Sequence, residues 1–258
     1  MQTDAAFAAE IARDAGNALL ELRAGFGPVD SEERRLALKD AGDEVAQGLL
    51  SQRLTSGRPG DAVLSEEAVD SDARLSADRV WIIDPLDGTD ENSQGRTDFA
   101  VHVALWARGL GLTDAVVDVP ALGEVWRTDA PRVVGALPAH RALRIVVSRS
   151  RPPAGLTRLL EDVSADLAAA GITERGIEVA NVGSVGAKLG EVMAGRAEAY
   201  LHPGGLNEWD LAAPQACAVA AGFVALGPDQ AFNQMPPKAG PVLICHPALV
   251  EAFTANWG

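Results

Sequence analysis

The chain has 258 residues, 47% of them hydrophobic, enough to bury a sizeable core as one large domain or two moderate ones. Its formal net charge of −14 repels long nucleic acid and anionic membranes, so the expected partner is a small molecule. Cys217 and Cys245 are the two cysteines and form no C-x-x-C pair, which excludes a disulfide scaffold, a zinc ribbon and a thioredoxin-like site.

In chain order, Phe7, Ile11, Ala15, Ala18, Leu19 and Leu22 recur at helical spacing and predict an amphipathic first helix, ended by Gly25, Gly27 and Pro28. Residues 1–15 carry Asp4, Glu10 and Asp14 rather than the basic-then-apolar pattern of a signal peptide. No apolar run is long enough to span a bilayer, so the expected setting is the cytoplasm. A second helix is predicted from about Glu44 to Leu54, with Val45, Leu49 and Leu50 inward. Ala62–Leu64 and Val80–Ile83 read as short buried strands. Phe99, Val101, Val103 and Leu105 share one face of a third, and residues 115–119 and 123–127 read as a hairpin around Pro120.

Beyond Pro138 the texture changes. Strands are predicted at 145–147, 197–201 and 242–244, alternating with helices at 154–170, 185–195 and 211–221. The fold class expected is α/β, with an α+β N-terminal domain over 1–140 and an α/β C-terminal domain over 141–258. There is no internal repeat.

The chemistry concentrates where apolar strands stop at acids. Val80-Trp81-Ile82-Ile83 ends at Asp84, and Asp84-Pro85-Leu86-Asp87-Gly88-Thr89 then turns sharply, with Pro85 fixing φ and Gly88 open to conformations other residues avoid. Two carboxylates three apart across such a turn converge, and without a cation they repel until one is protonated. Oxygen ligands of this kind suit Mg²⁺. Val63-Leu64 similarly leads into Ser65-Glu66-Glu67, and Glu208-Trp209-Asp210 stands before a helix. Three acidic ends from distant stretches suit a multi-metal site. Read singly, Glu66 is better taken as a solvated loop residue and Asp210 as a helix N-cap, while Asp43, before Glu44, is equally a cap. The four histidines show no metal-ligand spacing, and no phosphate-binding glycine loop or nucleophilic triad is readable.

At these residues the chain resembles the inositol monophosphatase superfamily. Asp84-Pro85-Leu86-Asp87-Gly88-Thr89 looks like its first signature, Trp209-Asp210-Leu211-Ala212-Ala213 its second, and Glu66-Glu67 its upstream acidic pair. Val147-Ser148-Arg149-Ser150, Gly183-Ser184 with Lys188, and Asp98-Phe99-Ala100-Val101-His102 look most like the CysQ group of 3'(2'),5'-bisphosphate nucleotidases, of actinobacterial type. The resemblance implies a layered αβαβα sandwich of the inositol monophosphatase and fructose-1,6-bisphosphatase type. It implies a lithium-sensitive phosphatase with two or three Mg²⁺, acting on the 3'-phosphate of adenosine 3',5'-bisphosphate, and a possible homodimer by analogy. Glu66, Asp84 and the Leu86 carbonyl would hold one metal, and Asp84, Asp87 and Asp210 a second. Thr89 with Asp43 would orient and deprotonate the attacking water. Gly88, Thr89, Ser148, Arg149, Gly183, Ser184 and Lys188 would contact substrate; for Ser148 and Arg149 the equal alternative is a solvated basic loop that includes Arg151.

One departure bears on substrate. Asp90-Glu91-Asn92 stands where the family usually carries a basic or polar residue, then Glu or Asn, then Phe. An extra acid beside the substrate opens the alternative of a nucleoside, sugar or inositol monophosphate, and, in a different class, of a non-catalytic metal or nucleotide sensor.

Overall fold

The computed structural model describes residues 2–227 and 231–257. Helix α1 (Asp4–Phe26) buries Phe7, Ile11, Ala15 and Leu19, as its spacing predicts, and ends at Gly27, whose φ of 79° favours glycine. Helix α2 (Glu32–Gly57) begins some twelve residues before the expected start near Glu44. Its first turns are polar and bury Leu38 alone before Gly42, so they carry no apolar stripe to read. What starts the helix is Ser31, whose hydroxyl accepts from the Arg34 amide at 3.2 Å, with Glu32 and Glu33 in the first turn.

The first sheet holds β1 (Ala62–Ser65), β2 (Arg79–Asp87), β3 (Ala100–Ala107), β4 (Gly111–Val119) and β5 (Glu124–Arg127) in that order, with short helix α3 (Thr89–Ser93) after β2. Only β1 and β2 are parallel; the remaining pairs are antiparallel. The second sheet takes β6 (Leu143–Ser148), β7 (Ile177–Val182), β8 (Ala199–His202), β10 (Val224–Leu226) and β12 (Val242–Cys245) in the order β10-β12-β8-β6-β7. A small ribbon pairs β9 (Leu206–Asn207) with β11 (Lys238–Ala239). The remaining helices are α4 (Leu156–Ala169), α5 (Val185–Met193), α6 (Glu208–Ala220) and α7 (Val250–Asn256). Strand β7 escapes sequence reading because it is a half-exposed edge strand, with Val179 facing solvent.

Strand alternation sorts the side chains into layers. Trp81, Ile83, Val101, Val103 and Leu105 pack under α1 and α2, while Val80, Ile82, Ala104 and Val117 face the opposite way. That second face meets α5 and α6 through Leu189, Val192, Leu211 and Cys217, and these in turn cover Val146, Tyr200 and Ile244 of the second sheet. The far face of the second sheet, with Ile145, Val147, Leu201 and Cys245, packs against Val163 of α4 and Phe253 of α7. The result is an αβαβα stack. Both thiols are buried and pushed up by burial, Cys245 to about 12. Among the described residues, no helix is long and apolar enough to cross a membrane.

Asp118 is among the buried acids that lie away from the Asp84–Thr89 turn. Asp118 on β4 faces α1, where a Cβ on Gly16 would stand 2.3 Å from its Oδ2. Burial pushes Asp118 up to about 7, while Arg13 pulls the other way. A raised carboxyl is neutral at no cost below about pH 4 and must ionise in place above 7. Its penalty therefore grows as pH rises through that window, to on the order of a few kcal/mol. Asp118→Asn is expected to flatten the pH dependence and to be more stable than the parent at pH 8 but not at pH 4, measured by urea unfolding at both.

Candidate active site

The site is assembled at the C-terminal end of β2. The parallel pairing of β1 and β2 sets Ser65 beside Ile83, so Glu66 leaves its strand next to the place where Asp84 leaves the apolar run. The β2–β3 register shifts between Asp84, opposite His102, and Asp87, opposite Ala100, so a bulge separates the two carboxylates. Gly88 then takes φ of 91°, and a Cβ there would meet Ser184 Cβ at 2.9 Å and the Asp98 carbonyl at 3.2 Å. Glycine is required on both counts.

Asp84, Asp87 and Asp210 offer oxygens that all lie within 4.8 Å of one another. Asp84 is fully buried; its Oδ1 accepts from the Leu86 amide at 3.1 Å, while Oδ2 has no partner. Burial, then the Asp87 charge, pushes it well above the usual carboxylate range. Burial would raise Asp87 too, but the His102 ring, Lys188 and the Gly186 amide outweigh it and hold it below that range. The amide donates to Asp87 Oδ2 at 2.7 Å, and His102 Nε2 stands 3.2 Å from the same oxygen. Asp210 serves two purposes. Its Oδ2 accepts from the Asn207 amide at 2.6 Å in a capping box at the start of α6, which leaves Oδ1 for a ligand. Burial pushes Asp210 up to about 6, with the Asp87 charge adding to it.

Glu66 lies on the same cavity wall but outside the tight trio. It is pushed up to about 7, by burial first and then by the charges of Asp210, Glu67 and Asp87. Asp43 sits on α2, well inside the helix, so the N-cap reading is replaced by a side-chain role. Its Oδ1 lies 3.4 Å from the Thr89 hydroxyl, which donates to the Leu86 carbonyl at 3.1 Å. Burial, then the Glu67 charge, pushes Asp43 up to about 6.

The facing wall belongs to the second sheet and α5. A cavity of about 340 Å³ lies between the acids and Ser148, Ser150, Arg151, Ser184, Lys188 and His202. The Ser184 hydroxyl caps α5 by accepting from Ala187, and Lys188 is almost wholly buried, bonded to the Gly183 carbonyl and pushed down to about 8 by burial. Arg149 is not brought to this wall. Its guanidinium donates to Glu91 at 2.9 Å and pairs with Asp98 as well, so both its faces are already neutralised. Arg151 takes the place expected of Arg149: it lines the cavity, its backbone amide donates to Ser148 Oγ at 3.2 Å, and among the described residues it has no carboxylate partner. The sequence signal for it was the second arginine of Ser148-Arg149-Ser150-Arg151, indistinguishable there from a solvated loop. Asp90 also lines the cavity, and its carboxylate pairs there with Arg35 and Lys39 of α2.

The profile of the inositol monophosphatase family matches residues 1–255. This chain belongs to the inositol monophosphatase family. Among the relatives of this family member, 3'-phosphoadenosine 5'-phosphate phosphatase of Mycobacterium leprae is 46% identical over 99% of the chain and 95% of that protein. The protein of the same name from Mycobacterium tuberculosis is 45% identical over 95% of the chain and 91% of its own length. The crystal structure of CysQ from Bacteroides thetaiotaomicron superposes with a TM-score of 0.73 at 22% identity, covering 95% of the chain and 97% of that structure, a likeness of fold.

Inositol monophosphatase family members are metal-dependent, and the donors here fit a hard cation: all are oxygen, and the buried Asp84 Oδ2 lacks any partner in the protein. The raised carboxyls also fix how pH acts. Unfolded, they ionise near 4; folded without metal, they resist ionising until pH 6–7, so metal-free stability falls as pH rises through that window. A hard divalent cation needs the ionised forms. Its stabilising shift in Tm is therefore expected to be larger at pH 8 than at pH 5 and to vanish in Asp87→Asn; an equal shift at both pH values would contradict this reading.

Proposed function

We propose that this chain is a Mg²⁺-dependent phosphatase that removes the 3'-phosphate of adenosine 3',5'-bisphosphate. The observation that carries it is a carboxylate trio within 4.8 Å, with one buried oxygen unpartnered, facing cations across the cavity. The 46% identical relative named 3'-phosphoadenosine 5'-phosphate phosphatase supports the substrate.

Asp84, Asp87, Asp210, Glu66 and the Leu86 carbonyl would hold the cations. Mg²⁺ bound there supplies a water of lowered pKa and a counter-charge for phosphate oxygens. The protein's own groups do the rest. Thr89 Oγ1 orients the attacking oxygen, and Asp43, near neutrality at about 6, takes the proton through it. Gly186 N–H and His102 hold Asp87 in one orientation. Gly88, Gly183 and Ser184 shape the wall where the transferred phosphate lies, and Ser148, Arg151 and Lys188 receive the phosphate that stays on the product.

The rival monophosphate substrate rested on the charge of Asp90, and that charge is neutralised by Arg35 and Lys39. Phosphate release is expected to be fastest from adenosine 3',5'-bisphosphate in a panel with inositol 1-phosphate and fructose 1,6-bisphosphate, to require Mg²⁺, and to be lost in Asp87→Asn. Arg151→Gln is expected to lower kcat/KM for the bisphosphate by roughly 10- to 100-fold, the worth of a charge-assisted contact, while inositol 1-phosphate turnover changes little. Equal loss on both substrates would remove Arg151 from the reading.

A further inference from the structure

Asp90 follows Thr89 directly at the head of α3. Its carboxylate accepts from Arg35 Nη1 at 2.9 Å and pairs with the Lys39 ammonium, both on α2. Arg35 is held in turn by Glu32, whose Oε2 accepts from Arg35 Nε at 2.8 Å. Arg35, Lys39 and Asp43 are each four residues apart, so they form one ridge along the helix. That ridge meets α3 at two consecutive residues, Asp43 at Thr89 and the two cations at Asp90.

The helix lies directly on the metal loop. A Cβ on Gly42 would stand 2.9 Å from Leu86 Cδ2 and 3.5 Å from Asn92 Nδ2. Asn92 is fully buried there, yet neither its amide oxygen nor its nitrogen has a partner. The buried polar residue of α3 thus does not fasten the two helices. Among the described residues, their polar links are the Thr89–Asp43 contact and the Asp90 pairs. At 3.4 Å the former is at the long limit of a hydrogen bond, so a small drift of α2 would break it.

We propose that Arg35 and Lys39, acting through Asp90, are positioning residues that hold the Asp43 carboxylate in register with the Thr89 hydroxyl. The proposal rests on the phosphatase reading above. Half-exposed ion pairs contribute little to global stability, so the clasp acts on local geometry, and catalytic groups respond steeply to small misplacement. In this chain the acid after Thr89 and the bases of α2 work as a set.

The test is steady-state kinetics of Asp90→Asn, Asp43→Asn and the double variant with adenosine 3',5'-bisphosphate. Asp90→Asn is expected to lower kcat on the order of tenfold. KM, the Mg²⁺ activation midpoint and Tm should stay close to the parent's. Added to Asp43→Asn it is expected to cost nothing further, because the group it positions is gone. Asp90→Glu should restore most of kcat, and Lys39→Met should repeat the Asp90→Asn pattern if that variant folds poorly. Full kcat in Asp90→Asn and Lys39→Met, or a loss that multiplies with Asp43→Asn, would overturn the clasp alone. A parent protein that releases no phosphate from any substrate would overturn the functional reading and the clasp with it.

Discussion

Asp84, Asp87 and Asp210 present oxygens within 4.8 Å of one another at the buried end of a strand, and charges of one sign at that spacing cannot all ionise without a counter-charge. The surrounding architecture manages that repulsion. The β2 bulge, the left-handed Gly88 and the capping box of α6 fix the three carboxylates before any cation arrives. Asp87 is stabilised as an anion by a backbone amide and His102, whereas Asp84 is left with a bare oxygen. A preset cluster of this kind costs folding energy that either protonation or a bound hard cation relieves.

Much of this was legible in the sequence because the signal was local and doubled. The run Asp84–Thr89 pairs an all-apolar strand with a turn needing proline and glycine, and it stands at the strand end as that pattern predicts. The layered fold came from the family resemblance, while strand alternation marked single faces such as that of Phe99, Val101, Val103 and Leu105. What failed was information carried by partners far along the chain. Arg149 and Arg151 are the same residue type two apart; only Glu91 and Asp98, some fifty residues upstream, decide which keeps a free charge. Asp43 read as a cap because the exposed first turns of α2 have no apolar stripe. Asp90 read as an intruder because its partners Arg35 and Lys39 lie in those same turns.

Charge is thereby partitioned within a chain of net charge −14. Most arginines are consumed in ion pairs on the surface, such as Arg79 with Asp61 and Asp4, or Arg196 with Glu124. The exposed Arg151 and the buried Lys188 remain on the cavity wall with no carboxylate partner among the described residues, and such unneutralised cations attract an anion.

The cavity is also divided by origin. Its acid wall grows mainly from the first sheet and α6, whereas Ser148, Arg151, Ser184 and Lys188 come from β6, the loop after it and α5. Substitutions in that loop would therefore alter the basic wall while leaving the acidic wall untouched.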